Sequence, residues 1–423
     1  MELQLAEDLK LDTDLPLMEV TKFQFHWKPG CHALFGLEGY LDASVPWKPE
    51  QSGGSILKIW LEKNQTRITL YNGLIVEIDI CREGGTSRIT ARAVSASHQL
   101  DRRPVSCSFQ DPSKSYGEIV RQAVLSEGGE VIRNRKTDKE TGMPVIQYEE
   151  TTWEFVNRLG VRLGVPIIPD IETGKPNLWF GMRNGKEVPA LSEAQCSVKI
   201  RSIGKNKGML LMTKGRDFFK IGDKMTYLGQ KAVIKGVEGR YEQGELTFTY
   251  TLGDPEAKNH YQESISHPAG LGLWGRVDEV KEDMLKLALD LDGGESTGEY
   301  FYPWYPDTGN GIYAMPEKGA KVLLYFSRAD EQEGAVIHCM NQKPENDRHY
   351  KDRAFNLEDG NYVLLTSETI DISRGGGHQV AVDGNAALAS TSGNLSIRAE
   401  GTIKLRGRQI SISTPDELNI CQG

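Results

Sequence analysis

The stretch Tyr300–Ile337 reads YFYPWYPDTGNGIYAMPEKGAKVLLYFSRADEQEGAVI. Two apolar runs, Ile312–Met315 and Lys321–Phe326, flank the turn formers Pro316-Glu317-Lys318-Gly319. That pattern predicts a strand, a tight turn and a second strand. A third run, Gly334–Cys339, follows the charged loop Arg328–Glu333. Upstream, Gly275–Val280 and Leu285–Leu291 form another pair. Five short strands within about 75 residues predict a small closed or nearly closed barrel, such as an OB-fold, over residues 265–342.

Several residues here are more specific than the strand pattern. Trp304-Tyr305 after a proline, Gly309–Gly311, the Met315–Gly319 turn and the Val322–Phe326 strand resemble the barrel of contractile-injection spikes. That family includes the tailed-phage baseplate spike and the VgrG protein of type VI secretion. The resemblance implies that this barrel joins a hub to a membrane-piercing needle.

Composition fits that expectation. The chain has 423 residues, 45 of them glycine and 18 proline. The length allows two to four domains, and glycine among short alternating runs argues for a mainly β protein. A net charge of −9 excludes DNA or RNA binding through a broad basic surface. The opening MELQLAEDLK has acidic residues and no apolar core, so it is not read as a signal peptide. No apolar run approaches the roughly 20 residues of a membrane helix. Cys31, Cys81, Cys107, Cys196, Cys339 and Cys421 contain no CxxC pair, which favours reduced thiols over a disulfide framework or a zinc site.

Taken in order, residues 1–17 read as an acidic, partly ordered leader. Residues 18–108 are strand-like. Ile56–Leu61 alternates, and so does Arg67–Ile80 around Asn72-Gly73, a dipeptide that predicts a hairpin between apolar runs. Glu83-Gly84-Gly85 then turns into Ser87–Ala96. The arrangement returns in Lys224–Val237, with Gly229 in its turn, followed by Glu242–Gly244 and Glu245–Thr251. This predicts an internal duplication, with one β-barrel over 18–108 and a second over 191–254.

Between the copies, over 109–190, the apolar period changes. Ser115–Leu125 follows Asp111-Pro112-Ser113, and Thr151–Leu163 places Trp153, Val156, Leu159 and Leu163 on one face before Gly164 and Pro166. Both stretches predict helices. A strand, Asn177–Gly181, follows. Val145–Glu149 leading into Thr152–Leu159 resembles the strand-to-helix junction of the same family. The resemblance implies that two related barrels and a helical insert make one subunit of a trimeric ring. Three such subunits present six similar barrels to a sixfold tail tube.

Polar linkers are expected over 255–264 and 343–356, and a trimeric β-helical spike over 357–423. There the apolar pairs Leu395/Ile397, Ile403/Leu405, Ile410/Ile412 and Leu418/Ile420 recur every seven or eight residues. Ser396, Lys404, Ser411 and Asn419 lie between the members, and Gly393, Gly401 and Gly407 are among the turns. Each short strand thus has one apolar and one polar face. A single strip of such strands cannot bury its apolar face, but three chains wound together as a β-prism or β-helix can. A monomeric β-domain is the alternative. Tyr362–Leu365 and Thr369–Ile372 would start the prism, and Gly375-Gly376-Gly377 predicts an irregular segment. Leu418, Ile420 and Cys421 would form a blunt tip. In the family a small conical protein of the PAAR type often covers such a face, and three Cys421 thiols holding a metal is the other option. The needle is short and lacks the terminal metal-binding histidines of some phage spikes. No effector domain is expected between barrel and needle or after Gly423.

Several patterns mimic enzyme motifs. Gly270–Gly275 matches GxGxxG, but a strand follows where a dinucleotide site needs a helix. Gly294-Glu295-Ser296-Thr297-Gly298 matches GxSxG, but Tyr300–Pro303 cannot supply the helix of a nucleophile elbow. Ser202–Lys205 matches SxxK without its companion motifs. The eight histidines include no HExxH or HxH: His26, His32 and His98 fall in the first barrel region, His260 and His267 near the linker, His338 in a strand, His349 and His378 in polar loops. The expectation is therefore a non-enzymatic hub and spike with no catalytic residue, cofactor or metal. A serine esterase using Ser296, or a carbohydrate-binding fibre protein using Tyr302, Trp304 and Tyr305, are the competing readings. The resemblance implies a homotrimer that meets the tail tube ring, baseplate proteins and the tape-measure protein, and crosses a target membrane in passing. Assembly is expected in the cytoplasm, before release in a phage, bacteriocin or secretion-type particle.

Overall fold

The computed structural model describes residues 2–42, 44–47, 54–63, 65–189, 211–227, 230–253, 268–306, 314–340, 352–357, 360–375 and 377–420. The chain divides into two compact units, Met1–Gln342 and Lys343–Gly423.

The first unit begins with β1 (Glu2–Ala6), β2 (Leu9–Thr13), β3 (Leu17–Trp27), β4 (Leu34–Leu41), β5 (Ile56–Lys63), β6 (Thr66–Glu83) and β7 (Thr86–Ser95). An insert follows: β8 (Pro104–Phe109), α1 (Tyr116–Ser126), β9 (Val131–Arg133), β10 (Val145–Thr151), α2 (Thr152–Leu163), β11 (Ile167–Pro169) and β12 (Leu178–Phe180). The chain then adds β13 (Leu211–Gly215), β14 (Lys224–Tyr227), β15 (Gln230–Glu242) and β16 (Glu245–Gly253). The flanking strands form one 11-stranded sheet ordered β1-β2-β5-β6-β7-β4-β3-β15-β16-β13, with β14 on β15. The two copies are thus joined edge to edge through β3 and β15. Phe25 lies opposite Gly239, where a Cβ would stand 2.1 Å from the phenyl ring. Glycine there lets the aromatic core of Phe23, Phe25, Phe35, Tyr71 and Phe248 run unbroken across the seam.

Two expectations are corrected here. Residues 1–17 are not a partly ordered leader. In β2 alternate residues Leu9, Leu11 and Thr13 are buried, and Leu15 and Leu17 follow them into the core. The acidic look of the segment comes from its outer face, where Lys10 pairs with Glu62 at 2.7 Å and Glu2 at 3.2 Å. Nor does Asn72-Gly73 turn the chain. It lies inside the continuous 18-residue strand β6, and neither residue takes the positive φ a type I′ turn requires. A Cβ on Gly73 would stand 2.4 Å from the Val94 carbonyl, so the glycine serves close approach of strands. The Asn72 amide donates to the Glu172 carbonyl at 3.2 Å, tying sheet to insert. The I′ turns of the two copies are Gly84-Gly85, between the partners Glu83 and Thr86, and Gln243-Gly244, between Glu242 and Glu245. The duplicated element is therefore the β6–β7 and β15–β16 hairpin. The β14–β15 pair, in which Tyr227 faces Gln230, has its counterpart inside one long strand.

Both expected helices are present and begin where the sequence offers reciprocal caps. Ser115 with Glu118 starts α1, and Thr151 with Glu154 starts α2. Gly164, at φ 66°, ends α2. Ile119, Val120 and Val124 from α1 and Phe155, Val156 and Leu159 from α2 bury themselves with Phe109, Val145 and Phe180.

The first unit closes with a five-stranded sheet ordered β19-β18-β17-β20-β21, from β17 (Gly272–Lys281), β18 (Met284–Leu289), β19 (Phe301–Pro303), β20 (Lys321–Phe326) and β21 (Gly334–Cys339). Its ends meet: Trp304 bridges to Val336, and the Tyr305 N–H donates to the Val336 carbonyl at 2.8 Å. The fifth strand is not the expected Ile312–Met315. Residues 312 and 313 lie outside the described residues, and the Ala314 carbonyl accepts from the Trp304 indole at 3.0 Å rather than entering a ladder. Gly319, at φ 84°, makes the expected turn.

The charged loop before β21 carries a buried acid. Glu331 is 1% exposed and accepts from Arg158 at 3.0 Å and Arg162 at 2.6 Å, both on α2. Arg158 also binds Glu150 at 2.5 Å and the Ile146 carbonyl at 2.7 Å. Removing Glu331 leaves two guanidinium groups short of a partner at a sealed junction. Glu331→Ala should therefore lower the unfolding free energy by about 3–5 kcal/mol in a denaturant titration. A loss below about 1 kcal/mol, the level of a surface pair, would refute this placement of the barrel.

The second unit is an antiparallel meander of β22 (Arg353–Asn356), β23 (Tyr362–Leu365), β24 (Ile370–Arg374), β25 (His378–Val382) and β26 (Ala387–Ser390). Both strands expected at its start are present. The glycine stretch at 375–377 turns the chain between Arg374 and His378, with Gly377 at φ 94°, instead of interrupting the pattern. From 391 to 420 no ladder forms, and the short strands expected there are not assigned.

Candidate functional site: an uncovered apolar face

The register of the meander sorts its side chains. One cross-strand row runs Phe355, Val363, Ile372, Val380, Ala389, and the row beside it Arg353, Leu365, Ile370, Val382, Ala387. This face is almost wholly apolar, yet Phe355, Ile370, Ile372 and Val380 are each about half exposed, from 48% to 51%. The opposite face is mixed: one of its rows runs Ala354, Leu364, Asp371, Ala381, Leu388, with Leu388 half exposed, while its polar groups bond to one another. The Asp371 carboxylate accepts from the Tyr362 hydroxyl at 2.9 Å and from the Gln379 amide at 3.0 Å. The acceptor–phenol contact holds the Tyr362 hydroxyl above its ordinary range. A sheet with an open apolar face needs a second layer.

The same condition continues along the strip. Leu395, Ile397, Ile403, Leu405, Ile410, Ile412, Leu418 and Ile420 are all exposed, from 51% at Ile403 to 87% at Ile420. Cys421 lies outside the described residues. Burying a Leu or Ile side chain contributes about 1.5–3 kcal/mol, so this stripe represents a large unsatisfied hydrophobic term. Its meander portion was also readable as period-two alternation in Ile370-Asp371-Ile372 and His378–Val382.

The residues of the competing readings fall elsewhere. Tyr302 is fully buried and Trp304 nearly so, both in the barrel core, which leaves only Tyr305 exposed. They do not form a sugar platform. Ser296 is on an exposed loop, and its Oγ donates to the Gly298 carbonyl at 3.4 Å. The segment after it forms β19, not a helix. That loop serves as a fastening. Asp292 accepts from the Ser108 N–H at 2.7 Å and its hydroxyl at 2.5 Å, and Thr297 accepts from the Gln110 amide at 3.0 Å. Burial raises the Asp292 carboxyl above the usual carboxylate range, against the pull of both Ser108 bonds. A Cβ on Gly298 would stand 2.1 Å from the Gln110 backbone, which explains the final glycine of the GxSxG match. Burial also pushes the Cys107 thiol up to about 12, so it is not a reactive thiolate. Ser202–Lys205, Cys196, His260, His267 and His349 lie outside the described residues. Ser296→Ala should leave both folding and assembly into particles unchanged. Loss of an esterase activity on that substitution would reverse this assignment.

No family profile and no curated protein matches the chain. Solved structures do. An E. coli protein, c3393, matches with a TM-score of 0.56 at 14% identity, over 78% of this chain and 99% of its own. It is described as a component of the type VI secretion system similar to the T4 bacteriophage tail proteins gp27 and gp5. A chain of the Francisella PdpA–VgrG complex, in its half-lidded form, matches with a TM-score of 0.56 at 9% identity, over 92% of this chain and 89% of its own. At such identities the likeness is one of fold.

Proposed function

We propose that this chain, which has the fold of the hub–spike proteins of contractile injection systems, is the structural hub and envelope-puncturing spike of such a particle. The uncovered apolar face of the second unit is the observation that carries the reading. Three copies wound about one axis would bury it, and the residues at alternate positions would keep the outside wet. The duplicated hairpins of the first unit support a ring in which three subunits present six similar surfaces to a tail tube. The barrel over 265–342 is taken as the OB-fold between hub and needle. Sheath contraction would supply the work; the protein needs stiffness rather than chemistry. Baseplate proteins, the tube ring and the tape-measure protein are the partners this role requires. The particle would be assembled in the cytoplasm and then released. The descriptions of the two neighbours, one from a type VI secretion system and one from a VgrG complex, support it.

Truncation after Asn341 tests the role. Full-length protein should sediment as a trimer at micromolar concentration, and the truncated chain should lose most of that association. A full-length monomer would end the proposal.

The exposed Leu418 and Ile420 also suit a small capping partner of the PAAR kind over residues 414–423. Deleting 416–423 should remove density beyond the needle in images of purified particles. Density that persists unchanged, or intact needles without any, would exclude the cap.

A further inference from the structure

β4 and β7 are antiparallel neighbours with Leu34 opposite Val94, so the residues before β4 and after β7 emerge at one end of the sheet. After β7 the chain makes a 3₁₀ turn, Ala96–Asp101. Three residues per turn stack positions three apart, which puts His98 and Asp101 on one side. His32 arrives from the other segment. The potential ligand atoms of His32, His98 and Asp101 all lie within 4.8 Å of one another. His32 Nε2 is 3.4 Å from Asp101 Oδ2. Two ligands about 2.1 Å from a tetrahedral ion are separated by roughly 3.4 Å, so this pair already has the required spacing.

The surroundings resemble an outer coordination shell. His32 Nδ1 is 2.9 Å from the Ser97 hydroxyl, which lies 2.8 Å from Ser95 Oγ; Ser95 Oγ accepts from the Ala33 N–H at 3.0 Å. A hydroxyl can accept the Nδ1 proton as readily as donate to that nitrogen, so the relay allows the tautomer with Nε2 free. The other oxygen of Asp101 accepts from the Thr151 hydroxyl at 2.6 Å. The Trp153 ring lies 4.3 Å from the His32 ring and fixes its plane. The His98 ring meets His32 edge-on at 5.4 Å and has no hydrogen bond among the described residues.

We propose that His32, His98 and Asp101 bind one divalent transition ion of the zinc class, pinning the loop before β4 and the turn after β7 to the first turn of α2. Two imidazoles and a carboxylate suit zinc or its neighbours, whereas magnesium and calcium prefer oxygen alone. A water molecule would complete the tetrahedron.

The test is zinc titration of the chelator-stripped full chain by calorimetry, with cobalt(II) absorption as a second probe. Wild type and Cys31→Ser should each take one equivalent, with cobalt bands of a nitrogen–oxygen site and no thiolate band. His98→Ala and Asp101→Asn should bind at least about tenfold more weakly. His98 has no bond to lose and Asn keeps an acceptor for Thr151, so circular dichroism should show both variants folded. Zinc should raise the thermal midpoint of wild type and leave His98→Ala unmoved. Absence of a saturable equivalent, wild-type affinity in both variants, or loss in Cys31→Ser alone would overturn the site.

Discussion

A single buried carboxylate, Glu331, fixes how the first unit is put together. It comes from the loop before β21 and lies between two arginines of α2. A charge sealed from water is tolerable only with near-complete pairing, so the loop, the helix and β10, which supplies Glu150, are held to one arrangement. The other end of α2 faces the large sheet. Thr151 caps the helix and donates to Asp101, and Trp153 stacks on His32. One twelve-residue helix thus receives the barrel at its C-terminal turns and the 11-stranded sheet at its first turn. Ser108 and Asp292 repeat the attachment on β8.

What the sequence made legible follows from period. The two helices were readable from spacing and the residues that end them, and four strands of the barrel and two of the meander from alternation. The exposed apolar pairs from Leu395 to Ile420 were readable because an i, i+2 pair repeated at constant spacing says which side is apolar without any knowledge of neighbours. What stayed hidden depends on pairing between distant segments. Asn72-Gly73 has the composition of a turn, and only the approach of Val94 explains its extended glycine. Residues 1–17 look polar because Glu2, Lys10 and Glu62 form the outer row of a sheet whose inner row is leucine. Glu331 reads as part of a solvated loop, and His32, far from His98 in sequence, meets it only through the pairing of β4 with β7.

The two units solve their core problem differently. The first has closed cores of its own, built from sheet against sheet and helix against sheet. The second is one layer. Its Tyr362–Asp371–Gln379 network bonds polar groups of one face to one another within the chain. The other face has nothing to pack on, and a five-stranded meander with one dry face requires a covering layer to be stable. In the proposed trimer, folding and association of this unit would be one process, and its stability would rise with chain concentration. The strip beyond Ser390 carries the argument further. It has apolar pairs but no ladder, so even its backbone hydrogen bonds await another strand. In the proposed trimer a second copy would supply both at once: donors and acceptors for the backbone, and the same apolar spacing to interleave with. An unrelated globular partner would offer the apolar surface without the matching repeat, which is why the repeat itself points to copies of this chain.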